Sequence, residues 1–210
     1  MIKLAYCDVS DLNLADAYRL LPKTRQKKVD QFRFEKDKKL SAGAYLLLDK
    51  LLKEENITNP ILKTGKYGKA YLSNYENIHF NLSHSGKLVA CAISDEEVGV
   101  DIEYNDSTID LNIAKHYFYN SEYESIMNSQ NPSDEFFKFW VLKESYMKYT
   151  GLGFNLALDK FEIIINNEIK LKNDKNNLKF SLFDVNEYKM DTCSKYSVNE
   201  FFEYTSNELI

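Results

Sequence analysis

The chain has 210 residues, 44% of them hydrophobic and 28% charged, with a formal net charge of −5. This balance is that of a globular protein, and 7 glycines and 3 prolines are too few for a disordered or repetitive chain. The longest apolar run, residues 42–48, is too short to span a bilayer, which excludes a membrane span. Three isolated cysteines form no Cys-x-x-Cys motif, so neither a disulfide framework nor a structural zinc site is expected.

No basic segment followed by an apolar one opens the chain, so we expect no signal peptide and a cytoplasmic location. Charge is unevenly placed. Residues 17–40 carry nine basic and three acidic side chains, a local charge of +6 against −11 elsewhere. A basic segment on an acidic protein fits a small polyanion better than nucleic acid, although a solvated helix face is the simpler alternative.

Strands and helices alternate along the N-terminal part. The patterns predict a strand over Ile2–Asp8, helix from Thr24 to about Glu54 in one or two pieces, and a basic loop over 63–69. They also predict strands over 78–82 and 87–93, joined by a turn at Ser83-His84-Ser85-Gly86.

The C-terminal part begins with a predicted strand over 98–103, in which Asp101 and Glu103 share one face. Helices are predicted near 110–117, over 121–127 with a Ser121–Glu124 capping box, and over 133–150 before Gly151. Four β-like segments follow, over 161–165, 169–172, 178–185 and 201–205. We therefore predict an α+β body of two lobes, 1–103 and 104–210.

Three groups of residues are candidates for chemistry. Asp101 and Glu103 fit a shared divalent cation, or are an exposed strand face. Trp140, Glu144 and Lys148 form one helical stripe, in which Glu144 and Lys148 fit either a magnesium–phosphate site or a surface ion pair. Ser83, His84 and Ser85 fit a phosphate-binding turn or a structural one, without the Gly-x-Ser-x-Gly elbow of a hydrolase.

Three motifs together resemble one family. Phe80-Asn-Leu-Ser-His-Ser85, Val98-Gly-Val-Asp-Ile-Glu103 and Trp140-Val-Leu-Lys-Glu-Ser-Tyr-Met-Lys148 followed by Gly151-Leu-Gly153 are similar to those of 4′-phosphopantetheinyl transferases of the surfactin-synthetase-activating (Sfp) type. The resemblance covers roughly residues 1–165. Two positions depart from it, with Ala70 in place of the usual proline and Leu40 in place of an arginine.

The resemblance implies a role for each matched residue. Mg²⁺ ligands would be Asp101, Glu103 and Glu144, and catalytic groups would be Glu103, Lys148 and His84, with Glu103 as the candidate general base. Trp140 would pack between the lobes. Coenzyme A would be bound by seven residues: Arg25, Lys28, Ser41, Lys69, Ser83, His84 and Lys148.

The implied reaction transfers 4′-phosphopantetheine from coenzyme A to a serine of an apo acyl or peptidyl carrier protein and releases adenosine 3′,5′-bisphosphate. The carrier would belong to a peptide, polyketide or fatty acid synthase. The implied fold is two lobes related by a pseudo-twofold axis, with the active site in the cleft between them, in a monomer. Two alternatives stay open: an inactive module that binds coenzyme A and carrier, and a different Mg²⁺-dependent phosphotransferase.

Overall fold

The computed structural model describes all 210 residues, and its N-terminal half is built on one sheet and one long helix. The elements follow in the order β1 (Ile2–Asp8), α1 (Leu14–Leu20), α2 (Lys23–Asp30), α3 (Glu35–Glu54), β2 (Leu62–Thr64), β3 (Ala70–Leu72), β4 (His79–Ser85) and β5 (Leu88–Ser94). The predicted helix from Thr24 thus forms two pieces, as one of the stated options had it.

The C-terminal half repeats this plan. Its elements are β6 (Val98–Tyr104), α4 (Asn112–Tyr117), α5 (Asn120–Asn128), α6 (Pro132–Thr150), β7 (Ile163–Ile165), β8 (Ile169–Leu171), β9 (Lys179–Val185), β10 (Tyr188–Ser194) and β11 (Glu200–Tyr204). No helix is both long and apolar enough to cross a membrane.

The two halves share one topology. In each half, a strand leads through helices and a short hairpin to a long hairpin. The first strand of the half pairs antiparallel with the second strand of that long hairpin, β1 with β5 and β6 with β10. The registers agree as well: Ile2 lies opposite Ser94 in the first half, and Val98 lies opposite Ser194 in the second. This repeat confirms the expected α+β fold of two matched lobes.

Strands also cross between the halves. β11, which follows the second hairpin, pairs in parallel with β1, so the sheet order is β11-β1-β5-β4 in one half and β6-β10-β9 in the other. The pairing of β6 joins it to the C-terminal sheet. A division of the chain after Glu103 stays a prediction.

Helix α6 lies directly on β6 because Gly99 has no side chain. A Cβ at Gly99 would lie only 2.0 Å from the Ser145 carbonyl oxygen and 2.4 Å from the Tyr149 nitrogen. Backbone-to-backbone approach of this kind is a known use of glycine in strands. It brings the C-terminal part of α6, from Ser145 to Tyr149, against the start of β6, next to the predicted acidic residues.

Local details differ from the sequence predictions at three places. Ser83, His84 and Ser85 belong to β4, and the turn is the next pair, Gly86-Lys87, with Gly86 at φ +58°. The capping glutamate of α5 is Glu122, which accepts from the Tyr119 N–H at 2.9 Å, whereas Ser121 bonds Glu162. The sequence analysis missed β10, whose Lys189, Asp191 and Ser194 are all buried although polar side chains usually mark an exposed face.

Candidate functional site

The first part of the site is the contact between β4 and β6. Alternate side chains of β4 accept hydrogen bonds from the backbone of β6 at 2.9, 3.3 and 3.1 Å: Asn81 from Val100, Ser83 from Ile102 and Ser85 from Tyr104. These side-chain oxygens replace the carbonyl groups of a neighbouring strand as hydrogen-bond acceptors, because the N–H groups of β6 would otherwise be unpaired. The Phe-Asn-Leu-Ser-His-Ser motif therefore joins the two halves.

The two serines also hold the acidic residues of β6. Ser83 Oγ donates to Asp101 Oδ1 at 2.8 Å, and Ser85 Oγ donates to Glu103 Oε2 at 2.6 Å. From α6, the Lys148 ammonium donates to Asp101 Oδ1 at 2.6 Å and to Ser83 Oγ at 2.8 Å. Asp101 is 2% exposed, so this contact is a largely buried ion pair.

Glu144 completes a cluster of three carboxyl groups. Burial and the nearby Asp101 carboxylate raise the pKa of Glu103 to about 7. The same two causes, in the same order, raise the pKa of Glu144 to about 7, against the opposing effect of Lys148. The cluster holds more negative charge than the single lysine neutralises, which is a common property of functional sites.

The cluster offers only carboxylate oxygens, which are the atoms that a hard divalent cation prefers as ligands. No three Asp, Glu, His or Cys side chains converge in a metal-binding arrangement. Two carboxylate oxygens, Asp101 Oδ2 and Glu144 Oε1, are buried without any hydrogen-bond partner. Oxygen-only donors of this kind are what Mg²⁺ prefers. The predicted set of Asp101, Glu103 and Glu144 is thus brought to one place, and its role as a metal site remains a proposal.

A cavity of about 350 Å³ lies beside the cluster, between the two halves. Its wall includes Lys148, which belongs to the acidic cluster as well. No carboxylate lines it, and the basic residues on its wall are Arg25, Lys28, Lys69, His84 and Lys148. Aromatic rings of Tyr45, Tyr67 and Phe80 supply apolar surface. The cavity is therefore suited to an anion that carries a ring system.

A larger groove of about 870 Å³ occupies the matching place in the C-terminal half, between α6, the β7–β8 hairpin and β9. Phe180 and Leu182 line it as Phe80 and Leu82 line the smaller cavity. It contains none of the predicted site residues, and Glu168 and Asp174 lie among its lysines. The smaller cavity is the one with the charge pattern of an anion site.

Arg25, which lines the smaller cavity, and Ser41, which lies outside its lining, each hold a polar atom without a hydrogen-bond partner. The half-buried Arg25 donates through Nη2 to the Ser41 carbonyl at 2.6 Å, while Arg25 Nε and Ser41 Oγ are buried without partners. Burial lowers the pKa of Arg25, and burial followed by the Arg25 charge lowers the pKa of Lys28. Cationic and hydroxyl donors left unsatisfied in a basic cavity fit an anionic group of a ligand.

The remaining predicted residues differ in how many hydrogen bonds their side chains already make within the protein. His84 sits on the cavity wall, and its pKa is lowered by desolvation and by the Lys148 charge. Lys69 lines the cavity too, but its ammonium is held by Glu97. Ser83, predicted to lie at the nucleotide, is buried and bonded to Asp101, Ile102 and Lys148. It positions the acids, and a contact with nucleotide remains a prediction.

Comparison with known proteins decides the family. Residues 97–193 match a family model described as the 4′-phosphopantetheinyl transferase superfamily, and residues 8–96 match one described as 4′-phosphopantetheinyl transferase, N-terminal. The chain belongs to the 4′-phosphopantetheinyl transferase superfamily. The resemblance drawn from the three motifs is confirmed.

Individual relatives in this superfamily agree with the two models. The chain is 33% identical over 140 residues to 4′-phosphopantetheinyl transferase Sfp of Bacillus subtilis (strain 168), which covers 63% of this chain and 62% of the relative. It is 39% identical over 127 residues to the transferase gsp of Aneurinibacillus migulanus, covering 58% and 52%. The chain therefore spans between half and two thirds of the length of these curated relatives. A holo-[acyl-carrier-protein] synthase structure from Thermotoga maritima aligns over 46% of the chain and 61% of its own, at 19% identity and a TM-score of 0.41.

Two further residues of this superfamily member escaped the sequence analysis. Lys143, in the middle of the third motif, is fully buried and pairs with the buried Glu122 at 2.8 Å. Asp191 on β10 lies in register with Asp101 and bonds Ser145 of α6 at 2.5 Å. Only the burial of both partners reveals these roles, and no spacing rule in the sequence could have paired them. Trp140 stacks on Phe136 and also hydrogen-bonds Glu103, whose pKa this contact lowers against the larger effect of burial; a place between the lobes stays a prediction.

Proposed function

We propose that this protein transfers 4′-phosphopantetheine from coenzyme A to a serine of an apo acyl or peptidyl carrier protein and releases adenosine 3′,5′-bisphosphate. The observation that carries the proposal is the position of Lys148. Its ammonium bonds Asp101 in the carboxylate cluster, and its side chain lines the cavity that has only basic charges on its wall. A polyanionic ligand in that cavity would place its phosphates next to the cluster.

The cavity residues are proposed to bind coenzyme A as an anion. Arg25 and Lys28 on the cavity wall, with Ser41 beside Arg25, would hold the 3′-phosphate, because Arg25 Nε and Ser41 Oγ have no hydrogen-bond partner. His84 and Lys148 would hold the pyrophosphate, because they lie on the side of the cavity nearest the cluster. Lys148 would also stabilise the charge that develops on the leaving oxygen during the transfer.

The carboxylates are proposed to hold Mg²⁺ through Asp101, Glu103 and Glu144. When bound, the ion would neutralise the pyrophosphate and stabilise charge at the transferred phosphoryl group. The residues of this chain supply its setting: Ser83 and Ser85 fix Asp101 and Glu103, and the close contact at Gly99 fixes Glu144 above them.

Glu103 is the proposed acceptor of the carrier serine's proton, directly or through a bound water. It is half-buried at the edge of the cluster, whereas Asp101 is almost fully buried and already bonded to Lys148. Glu103→Gln separates the two roles of Glu103. A variant that keeps both its metal affinity and a normal transfer rate contradicts the base role.

Intact-protein mass spectrometry tests the transfer. Apo carrier domains from peptide, polyketide and fatty acid synthases are incubated with the protein, coenzyme A and Mg²⁺, and each carrier is weighed. We expect a gain of one phosphopantetheine on at least one carrier, lost with EDTA and with Asp101→Ala. Asp106→Ala is the matched control, because Asp106 bonds only its own loop. Absence of any gain, with coenzyme A still bound, would overturn the transfer and leave the binding module.

A further inference from the structure

The loop between β2 and β3 is tied to the C-terminal half by one side chain. The Lys69 ammonium donates to Glu97 Oε2 at 2.7 Å, to the Val98 carbonyl at 3.0 Å and to the Tyr149 carbonyl at 3.2 Å. An ammonium has three protons, so these three acceptors use its full donor capacity. None of the three acceptors belongs to the loop that carries Lys69.

The acceptors bring together segments that are distant in the sequence. Val98 begins β6, Glu97 directly precedes it, and Tyr149 lies in the last turn of α6. Backbone carbonyls at a helix C-terminus are unpaired and carry partial negative charge, which favours a cation there. Lys69 therefore joins the loop of the N-terminal half to the end of the helix that carries Glu144 and Lys148.

Glu97 holds a second group of the N-terminal half. Its Oε1 lies 3.0 Å from His79 Nδ1 at the first residue of β4, while Oε2 accepts from Lys69. One carboxylate thus bridges the start of β4 and the β2–β3 loop. Both segments continue into the wall of the small cavity, through Phe80 and through Tyr67, Gly68 and Lys69.

The stem of Lys69 also touches the other wall of the cavity. A Cβ at Gly151 would lie 3.5 Å from Lys69 Cδ, and Gly151 lines the cavity opposite the loop. Lys69 thus spans the opening between the β2–β3 loop and the end of α6. Its ammonium is bonded to the Glu97 carboxylate, to the Val98 carbonyl of β6 and to the Tyr149 carbonyl of α6.

We propose that Lys69 and Glu97 form a clasp that fixes the width of the cavity by holding the β2–β3 loop against the end of α6. Lys69 is then a positioning residue, whose ammonium hydrogen-bonds Glu97 and two backbone carbonyls and does not contact a ligand phosphate. The proposal corrects the phosphate contact that the family resemblance implied for this lysine. It rests on the proposed function in one respect, the use of coenzyme A as the ligand that reports cavity width.

The clasp and a direct phosphate contact predict opposite effects of Glu97. If Lys69 met a phosphate, loss of the competing carboxylate in Glu97→Gln would leave coenzyme A binding unchanged or make it tighter. If Lys69 and Glu97 are a clasp, Glu97→Gln weakens binding, because the loop loses its anchor. Glu97 itself lies outside the lining of the cavity, so it has no direct contact with the ligand to lose.

The test is a double-substitution cycle read by calorimetric titration of coenzyme A. We expect the dissociation constant to rise about threefold in Glu97→Gln and about tenfold in Lys69→Met, with the double variant no weaker than Lys69→Met. Two controls match these changes. Glu96→Gln removes the neighbouring pair with Lys195, and Lys66→Met removes a charge from the same loop outside the cavity lining. Both controls are expected to bind as the unchanged protein does.

Hydrogen–deuterium exchange of the ligand-free protein gives a second readout that does not depend on coenzyme A. The clasp predicts faster exchange in both residues 65–70 and 149–153 in Glu97→Gln, and no change in Glu96→Gln. Unchanged or tighter coenzyme A binding in Glu97→Gln, effects that multiply in the double variant, or unchanged exchange at both segments would each overturn the clasp. If the unchanged protein binds no coenzyme A, the proposed function fails, and exchange alone decides the clasp.

Discussion

Two lysines of helix α6, five residues apart, pair with carboxylates of other elements, and the two pairs differ in how completely their polar atoms are hydrogen-bonded. In the first, Lys143 and Glu122 are both about fully buried at 2.8 Å. Lys143 also donates to the Leu158 and Phe161 carbonyls, and Glu122 accepts from two backbone N–H groups. In the second, Lys148 and Asp101 meet at 2.6 Å, and Asp101 Oδ2 and the nearby Glu144 Oε1 have no partner.

The difference separates a structural pair from a functional one. A buried charge is tolerated when its remaining donors and acceptors are satisfied, as they are around Lys143. Around Lys148, Asp101 Oδ2 and Glu144 Oε1 stay without a partner, and the Lys148 side chain itself lines the cavity. The third motif contains both lysines, and their surroundings distinguish a fully bonded pair from the incompletely bonded pair that we propose serves the site.

The largest expected effect tests the structural pair. Lys143→Met leaves the Glu122 carboxylate buried without its cation, so we expect the free energy of unfolding to fall by about 3–5 kcal/mol in urea titrations. The double variant with Glu122→Gln should recover part of this loss, because both buried charges are then gone. A loss below about 1 kcal/mol in the single variant would contradict a structural role.

A substitution in the second pair is expected to act mainly on the transfer rate and less on the free energy of unfolding. Lys148→Met should slow transfer to a carrier by about 10²–10³-fold, since removal of one preorganised donor to a developing charge has this cost. Its unfolding free energy should fall less than that of Lys143→Met, because Asp101 keeps its bond from Ser83. Lys148→Arg retains the charge and should transfer faster than Lys148→Met. Equal rates for Lys148→Met and the unchanged protein would remove Lys148 from the mechanism.

The smallest effect concerns pH. The pKa of Glu144 is raised in the folded state to about 7, above its usual value of 4.5, so the folded protein binds the proton more tightly than the unfolded chain. This contribution to stability is present at low pH and declines as the pH rises from about 4.5 to about 7. Glu144→Gln should therefore raise Tm at pH 8 by a few degrees and leave it unchanged at pH 4, measured by scanning fluorimetry.

The matched control for this pH effect is Glu124→Gln. Glu124 is exposed on α5, and its Tm should be the same as that of the unchanged protein at both pH values. A lower Tm for Glu144→Gln at pH 8 would show that the carboxylate at 144 stabilises the fold, contrary to the crowding of charge described above.

Elements with a strong periodic pattern were predictable from the sequence. β1 lies over Ile2–Asp8 as predicted, and α6 ends at Thr150 before Gly151 at φ +71°, a left-handed cap that glycine adopts readily. The resemblance carried by the three motifs implied that Asp101, Glu103, Glu144 and Lys148 share one site, and the structure brings them near one another. These local patterns do not depend on long-range packing, which is why they could be recognised.

The rest depends on contacts between distant segments. The pairing of Lys143 with Glu122 and the three acceptors of Lys69 arise only when the halves pack. The residues alone do not show the repeat, which only the family resemblance implied, for a related reason. Phe80-Asn81-Leu82 and Phe180-Ser181-Leu182 occupy matching places, but the residues that follow, Ser83 and Phe183, face different neighbours and share no chemistry.

The pairing of β11 with β1 sets an order of events during synthesis. One edge of β1 is covered by β5 as soon as residue 94 is available, but the other edge waits for residues 200–204. An open strand edge is a template for pairing with another chain, so the nascent protein carries an aggregation-prone surface until residues 200–204 have left the ribosome. The bonds between Ile2 and Asn199 then close that edge. Completion of the N-terminal sheet therefore requires that both halves have been synthesised.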